Sequence, residues 1–543
     1  MVKKSRSSIG VLLLTAIMWL ALLSVSCRKN DVRQPQVVSD PEVVGAWLSL
    51  DLNVVSSGTA TKVDPETEGG IVGNIDEDKI TRLAVWLVPL ESDREDWSKA
   101  LMTYIPDISL TSGSVYKASV RTRLNVPMHL YVGANISTKV ASAFLDGGQD
   151  AVYASSSMNY SELIEEFASE KFGVSMFCTR CSSLEFELSN TDEDNPALVD
   201  ENHDGVPEKI DLVRMLSKVH VLFQCYPNTD YVKITEPGSM TEAQCGGFGW
   251  SRIDDISYIL NTVNTSTRVF QQAYGGRYSA YVDANHSMSD ILFKDQDWDY
   301  KADASGEFIT TSDDLYAQWP DWAARPEKFN QYKEPFGSGS GRYVSGLYCL
   351  ENTTDGDLLD RMTDDEKKYI PFKVATHLIV KARFVPRFIN TVVGGVLREV
   401  DYGQDGYQAA LESLKEFKDD QGQVLCPAGT FFTRDMQEFY DYSGMQKLME
   451  LHPELSRKNF AEYPGGYGFY HSYIYGGTDG TTGQVTFAGT DSGVFRNHYH
   501  ILNCSLMKVP ATPGSFNQLM MVNSKVLEWN EKGKGEITVK PNV

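Results

Sequence analysis

The chain has 543 residues and a formal net charge of −23 at pH 7, with 42% hydrophobic and 11% aromatic residues. That length exceeds what a single hydrophobic core usually serves, so the sequence predicts two large domains. The acidic residues are spread along the chain, which argues against nucleic acid or an anionic membrane surface as a partner.

The first 27 residues form a targeting segment. Lys3 and Lys4 give it a basic start, residues 9–23 are apolar, and small residues stand directly before Cys27. The apolar run is short for a membrane span, so a cleaved peptide is favoured over a plain span. A signal peptide that ends at cysteine resembles the lipobox of bacterial lipoproteins. It implies a lipid on Cys27, an outer-membrane location and a tether over residues 28–43.

Residues 44–55 alternate apolar and polar side chains, which predicts a half-buried β-strand. One side of this strand carries Leu48, Leu50, Leu52 and Val54. Residues 56–76 hold no second apolar run and are rich in Ser, Gly, Thr, Asp and Glu, which predicts a long loop. Lys62 is the one basic residue of that loop. A strand on a cuttable loop can be removed; the alternative is an ordinary first strand with a long surface loop.

The rest of the chain predicts many short strands and few helices, which favours antiparallel β-sandwiches. In the first half we expect strands at 79–90, 115–126, 127–135, 174–178, 184–188 and 211–223, and helices at 136–145 and 161–172. In the second half we expect strands at 342–353, 375–385, 497–507, 519–529 and 536–539, and one helix at 435–451.

Several of these stretches, in this order behind a lipobox, resemble the fimbrillin family, the subunits of type V pili in Gram-negative anaerobes. The stretches that carry the resemblance are 83–88, 130–135, 213–219, 350–353, 375–382, 496–500 and 522–529. The resemblance implies an all-β fold of two transthyretin-like antiparallel β-sandwich domains with a few short helices in insertions. The domains would span 44–226 and 227–543.

The resemblance also implies a function, which is export as a lipoprotein, proteolytic removal of the first strand and polymerisation by strand exchange. The vacated groove would accept a donor strand from the C-terminal region of another subunit, where Ile537 and Val539 supply apolar side chains. In the family the cut typically follows Arg, whereas the loop residue here is Lys62. An uncut chain would favour an anchor or terminator over a stalk subunit.

The expected protein is therefore a structural subunit or tip adhesin of a surface pilus, and not an enzyme. Its partners would be other pilus subunits, the outer membrane through Cys27, and a host protein or glycan, with no nucleic acid. The alternative is a surface lipoprotein adhesin that binds host protein or glycan without polymerising.

Residues 200–211 have the acidic spacing of a calcium-binding loop, in which alternate residues point oxygen atoms at one cation. The predicted ligands are Asp200, Asn202, Asp204, the carbonyl of Val206, and Asp211. The alternative is an acidic surface loop, and no other cofactor is expected.

Two further patterns have weaker chemical meaning. Cys178 and Cys181 have CxxC spacing, but no second pair accompanies them, which favours a structural or disulfide role over zinc or redox chemistry. His498 and His500 share a strand face and His471 stands among tyrosines, without a third ligand at metal-binding spacing. The sequence predicts no catalytic set.

Overall fold

The structure, a computed structural model, confirms the all-β class with a few short helices. It describes residues 46–54, 77, 79–108, 110–112, 115–123, 126–154, 160–169, 171–179, 181–184, 196–201, 204–224, 231–235, 249–261, 263–264, 266–275, 291–294, 312–313, 341–343, 347–353, 376–403, 406–474, 477–478, 485–486, 493–494, 496–507, 509–512, 521–528 and 537–539. Among these residues, none of the helices has the length and apolar character that a membrane span requires.

The first part of the chain contains fourteen described strands. They are β1 Ala46–Val54, β2 Leu83–Glu91, β3 Arg94–Glu95, β4 Leu101–Ile105, β5 Leu110–Ser112, β6 Val115–Thr122, β7 Met128–Ala134, β8 Val152–Ala154, β9 Ala168–Ser169, β10 Gly173–Val174, β11 Met176–Cys178, β12 Ser182–Leu184, β13 Ala197–Leu198 and β14 Lys209–Arg214. Eleven of them form one sheet in the order β3-β2-β7-β11-β14-β1-β6-β5, with β4 on β2, β12 on β7 and β13 on β1.

Two helices lie in this first part, close to the predicted positions: α1 Thr138–Gly147 and α2 Tyr160–Phe167. The Ser137 hydroxyl caps α1 by accepting a hydrogen bond from the Val140 N–H at 3.3 Å, which satisfies one of the free donors of the first turn. Phe144 of α1 is fully buried and meets Trp86 of β2 edge-to-face at 4.9 Å. The helix therefore covers the apolar face of β2.

The next strands belong to several sheets. They are β15 Leu216–Gln224, β16 Tyr231–Thr235, β17 Gly249–Arg252, β18 Ile256–Asn261, β19 Val263–Asn264, β20 Ser266–Arg268, β21 Gln272–Gly275, β22 Ile291–Lys294, β23 Ser312–Asp313, β24 Gly341–Tyr343, β25 Leu347–Leu350, β26 Asn352–Thr353, β27 His377–Arg383 and β28 Val385–Pro386. β20 pairs with β8 of the first part, so the two halves of the chain share a small ribbon.

An insertion that the sequence did not predict follows β28. It contains β29 Phe388–Val393, β30 Val396–Asp401, α3 Tyr407–Ser413, β31 Phe417–Lys418, β32 Val424–Cys426, β33 Phe431–Thr433, β34 Phe439–Tyr440, α4 Tyr442–Leu451 and β35 Ala461–Tyr463. Asp441 caps α4 through its Oδ1, which accepts the Gly444 N–H at 2.6 Å. The helix is shorter than predicted because residues 434–437 form a bend and Phe439–Tyr440 form a strand. A Cβ at Gly444 would lie 2.0 Å from the Asn390 carbonyl oxygen, so only glycine allows this close packing of α4 on β29.

The last strands close the second large sheet. They are β36 Tyr467–Tyr473, β37 Gly477–Thr478, β38 Val485–Thr486, β39 Gly493–Val494, β40 His498–Met507, β41 Met521–Glu528 and β42 Ile537–Val539. This sheet has the order β24-β15-β40-β16-β17-β28, with β25 on β15, β41 on β40 and β42 on β41. β18, β27 and β36 form a separate three-stranded sheet.

The sequence predicted purely antiparallel sheets, but the structure also contains parallel strand pairs. β1 runs parallel to β13 and β14, β15 and β16 run parallel to β40, and β29 runs parallel to β34. The structure does not establish the transthyretin-like detail, which stays a prediction.

The single strand predicted over 211–223 is two strands that belong to different sheets. β14 pairs with β1 and β11, whereas β15 pairs with β24, β25 and β40. The chain therefore changes sheet at Met215, while the predicted domain boundary after residue 226 stays a prediction. Asn497 holds this crossing, since its Oδ1 accepts the Arg214 N–H at 3.2 Å and its own N–H donates to the Leu216 carbonyl at 2.8 Å.

Candidate functional site

β1 lies inside the first sheet, with a neighbour on each side. It pairs antiparallel with β6 from Ala46↔Thr122 to Leu52↔Tyr116. On its other edge it pairs in parallel with β14 from Asp51↔Lys209 to Val54↔Leu212, and with β13. Both edges of the strand are therefore engaged in backbone ladders.

The predicted alternation of β1 is present in the structure. Leu48, Leu50 and Leu52 are completely buried and Val54 is 6% exposed, and all four join the first hydrophobic core. Trp47 on the opposite face is half-buried, and the Arg121 guanidinium lies 5.3 Å from its ring centre. Such a residue pattern gives the strand one apolar face directed at the core and one partly wet face.

The neighbours of β1 all come from later in the chain. β6, β13 and β14 belong to the segment after residue 114, and the strand precedes everything else that is described. The polypeptide that connects the other strands of this sheet therefore does not include β1. Its departure would leave a slot between β6 and β14, lined by the apolar surface that the three leucines cover.

The chain is fastened again directly after the residues 55–76. Glu77 Oε1 lies 2.5 Å from Lys218 Nζ and accepts a hydrogen bond from the Tyr348 hydroxyl at 2.5 Å. The Arg214 Nε donates to the Glu77 backbone carbonyl at 3.1 Å. Lys218 is 1% exposed, so this ion pair lies in the interior. The anchor lies at the junction of the two halves of the molecule, where β14 leads into β15.

The C-terminal strands differ in how firmly they are held. β41 pairs with β40 along its whole length, from Met521↔Ser505 to Glu528↔His498. Among the described strands, β42 pairs with β41 alone, over Ile537↔Val526 to Val539↔Ser524, and forms the edge of the sheet. Ile537 and Val539, the predicted donor residues, thus lie on the edge strand, and β41 belongs to the sheet itself.

Three other predicted site residues lie outside the described part of the chain. They are Cys27, Lys62 and Asn202. The predicted lipidation and cleavage sites therefore stay predictions.

The candidate calcium loop folds around the carboxylate of Asp200. Asp200 accepts the Asp204 N–H at 3.1 Å and the Gly205 N–H at 2.8 Å, while Asp204 Oδ1 accepts the Val206 N–H at 2.8 Å. Gly205 has φ +81° and open space around it, as a sharp turn requires. Asp211 lies at the start of β14 opposite Asn53. Calcium binding stays a prediction, and a calcium titration followed by thermal unfolding would test it.

The aromatic residues near the C-terminal His positions contribute to the core. Tyr463 stacks on Phe431 with 4.5 Å between ring centres and donates its hydroxyl to the Pro510 carbonyl at 2.7 Å. Tyr470 and His500 are completely buried. The side chains of His471 and His498 are not described.

The structure brings together one cluster that sequence spacing did not reveal: Glu95, His129 and Cys181. One ligand-type atom of each lies within 4.8 Å of the others, and this is the only such group of three His, Cys, Asp or Glu residues among the described residues. Glu95 lies in β3, His129 lies in β7, and Cys181 directly precedes β12. The signal in the sequence was the alternation of His129 and Tyr131 in β7, which places both on one strand face.

Hydrogen bonds fix the carboxylate of this cluster. Glu95 Oε1 lies 2.7 Å from His129 Nδ1 and accepts hydrogen bonds from the Tyr131 hydroxyl and, at 3.1 Å, from Gln149 Nε2. Glu95 Oε2 accepts from Trp97 Nε1 at 2.9 Å. Burial opposes ionisation of Glu95, but these hydrogen bonds outweigh it and lower its pKa to about 2.

No model of a protein family and no curated protein matches the chain. Similar solved structures include a putative cell adhesion protein from Parabacteroides distasonis, with 11% identity and a TM-score of 0.40 over 90% of this chain and 99% of that one. The tip fimbrial protein Mfa3 from Porphyromonas gingivalis, with a C-terminal truncation, has 10% identity and a TM-score of 0.32 over 90% of this chain and all (100%) of its own. A fimbrial assembly protein from Parabacteroides distasonis has 11% identity and a TM-score of 0.25 over 67% and 87%.

Proposed function

We propose that this chain is a structural subunit or tip adhesin of a surface pilus, which assembles when proteolysis within residues 55–76 frees β1 and a donor strand takes its place. The observation that carries the proposal is the position of β1. It fills a central position in its sheet between β6 and β14, yet it precedes both of them in the chain, so the polypeptide that connects these two neighbours does not include β1.

Without β1 the empty slot is energetically unfavourable, so binding of another strand there is favoured. Backbone donors and acceptors on β6 and β14 lose their partners, and an unpaired backbone group in a buried site is costly. Burial of each leucine contributes about 2 kcal/mol, so Leu48, Leu50 and Leu52 together contribute about 6 kcal/mol. An incoming strand recovers this stabilisation only if it presents apolar side chains at alternate positions.

β42 and the residues after it are suited to be that donor. Ile537 and Val539 stand at alternate positions, as Leu48 and Leu50 do, and the strand pairs on one side only. An edge strand is the ordinary template for pairing between chains. Release of β42 also leaves β41 paired with β40, so the subunit keeps its second sheet.

The same proposal includes the surface location of the assembled protein. Lipidation of Cys27 would hold the precursor at the outer membrane until the cut, since the lipid lies on the same side of the cut as β1. Other pilus subunits are then the direct binding partners during assembly. The assembled pilus binds a host protein or glycan.

The test uses two proteases and one position. Lysine-specific protease acts on the natural chain and arginine-specific protease acts on a Lys62→Arg variant, while a Lys62→Ala variant is the matched control in both digests. We expect species of high mass that resist detergent only where residue 62 is cut. Mass spectrometry should find the released fragment that contains β1. A cut chain that lacks residues 537–543 should lose β1 and stay monomeric.

A specific result would contradict strand exchange. If the full-length cut chain releases β1 and stays monomeric, polymerisation through that slot is wrong. The non-polymerising surface adhesin is then the better account, and it predicts saturable binding of a host protein or glycan by the uncut chain.

A further inference from the structure

We propose that Cys181 is a reactive thiolate that exchanges with low-molecular-weight disulfides and retains the modification as a mixed disulfide. The convergence of His129 and Glu95 on one partly exposed cysteine carries this inference. It is independent of pilus assembly.

Strand register builds the cluster. β12 pairs with β7 through Ser182↔Leu130 and Ser183↔His129, so Cys181, one residue earlier, stands beside Tyr131. The β2–β3 hairpin turns through Ser92 and Asp93, both with positive φ, and returns Glu95 over the same face of β7. Three separate segments are therefore held at one place by backbone pairing.

The arrangement favours a charged pair of imidazolium and thiolate. Hydrogen bonding to Cys181 and to Glu95 raises the pKa of His129 to about 10, so the ring is protonated at neutral pH. Hydrogen bonding from His129 lowers the pKa of the Cys181 thiol and outweighs the effect of burial. A carboxylate that orients a histidine beside a cysteine is the general arrangement of an activated sulfur nucleophile.

The same atoms are less suited to a metal ion. Both oxygens of Glu95 already accept hydrogen bonds, and Oε1 faces three partners: His129, Tyr131 and Gln149. A metal would have to replace these contacts to use the carboxylate. Glu95 is therefore a positioning residue for His129, and Cys181 Sγ is the reactive atom of the cluster.

Cys178, the other cysteine of the CxxC pair, does not complete a redox couple. It is 2% exposed, its sulfur accepts the Val132 N–H at 3.4 Å, and burial raises its thiol pKa to about 12. A thiol held in this way attacks a neighbouring mixed disulfide slowly. Modification at Cys181 should therefore persist.

The exchange step balances without any further reagent. The Cys181 thiolate attacks one sulfur of a disulfide RS–SR, the new Sγ–S bond forms, and the old S–S bond breaks. The departing sulfur leaves as the thiolate RS⁻ with the bonding electron pair. Cys181 is oxidised to the mixed disulfide and one half of the reagent is reduced.

The experiment uses the aromatic disulfide 5,5′-dithiobis(2-nitrobenzoate), whose released thiolate is coloured. On the full chain we expect one fast phase that peptide mapping assigns to Cys181, with a rate that depends less steeply on pH between pH 6 and 8 than that of an ordinary thiol. An ordinary thiol reacts about tenfold faster per pH unit in this range, and at pH 6 Cys181 should react faster than such a thiol because more of it is thiolate.

Variants separate activation from simple exposure. His129→Asn should restore the steep pH dependence and lose the advantage at pH 6, Cys181→Ser should remove the fast phase, and Cys178→Ser should keep it. Thermal unfolding checks that each variant is folded. A His129→Asn chain whose reaction rate has the same pH dependence as that of the natural protein would overturn the proposal. So would stoichiometric zinc in the purified chain that leaves when Cys181 reacts.

Discussion

β1 and β42 are both near chain ends, yet the molecule holds them in opposite ways. β1 is paired on both edges and contributes three completely buried leucines to its core. β42 is paired on one edge over three residues, Ile537–Val539. Loss of a central strand leaves unpaired backbone groups on two neighbours and exposes core side chains, so a substitute strand binds favourably. Release of an edge strand breaks only one backbone ladder and costs little free energy. The two strands are therefore complementary as acceptor position and donor.

The largest expected effect comes from the core face of β1. Leu50→Asp places a carboxylate where no water reaches and no partner is described, and we expect the free energy of unfolding to fall by more than about 4 kcal/mol. Urea unfolding measures the change. Ser49→Ala, on the half-buried opposite face of the same strand, should change stability by less than about 0.5 kcal/mol. Equal effects at the two positions would mean that β1 is not packed as described.

The anchor after the cleavable residues should come next. Lys218→Met leaves the Glu77 carboxylate without its buried cationic partner, and loss of one member of a buried pair costs about 3–5 kcal/mol. The exposed pair Lys447–Glu450 provides the control, since Lys447→Met should cost at most about 1 kcal/mol. An effect of Lys218→Met as small as the control would mean that the chain after the loop is not fastened there, and that loss of β1 would also loosen β2.

Local patterns predicted the strands of this comparison, and pairing partners had to come from the structure. The alternation of Leu48, Leu50 and Leu52 predicts an inward face, because side chains alternate along any strand. This alternation does not predict that β14, far along the chain, runs parallel to β1. Strands that pair in a sheet can be separated by any number of residues in the sequence. The same limit hid the cluster at Cys181, to which the β2–β3 hairpin brings Glu95 and the pairing of β7 with β12 brings His129.

The insertion between β28 and β36 was missed for a related reason. Its strands are short, and strands such as Phe431–Thr433 and Phe439–Tyr440 are too brief to show period-two alternation. The predicted helix over 435–451 was right in its second half because Asp441 gives it a cap. Its first half was wrong because tertiary packing of the aromatic residues there outweighs local helix preference.

A small effect on stability with a large effect on assembly is expected for β42. Thr538→Pro removes one backbone donor from an edge strand, where proline is tolerated, so unfolding of the subunit should change by less than about 0.5 kcal/mol. In the central slot between β6 and β14 the same proline lacks a donor that the ladder requires. Detergent-resistant species should therefore disappear, while a Thr538→Val control should still assemble. If the Thr538→Pro variant assembles normally, the hypothesis that β42 is the donor strand is wrong.

The smallest expected effect concerns a part of the first sheet that β1 does not touch. In the strand order, β11 and β14 separate β7 from β1, so the His129–Cys181 pair should behave alike with or without β1. The raised pKa of His129, about 10 against 6.5, gives stability that is present below 6.5 and lost as pH rises toward 10. The lowered pKa of Cys181, from its ordinary 9.0, gives stability that is present above 9.0 and lost as pH falls.

Between about pH 6.5 and 9 these two dependences oppose each other, because the stabilisation from His129 falls as the pH rises whereas the stabilisation from the Cys181 thiolate grows. Relative to a His129→Asn, Cys181→Ser double variant, the natural chain should therefore show a stability advantage that changes little across that range. The advantage should shrink as pH falls below 6.5 and as it rises above 9. Urea midpoints at pH 5, 7, 8 and 10 would measure this. A difference that changes steadily from pH 7 to pH 8 would mean that the two groups do not share one proton, and that His129 is paired with Glu95 alone.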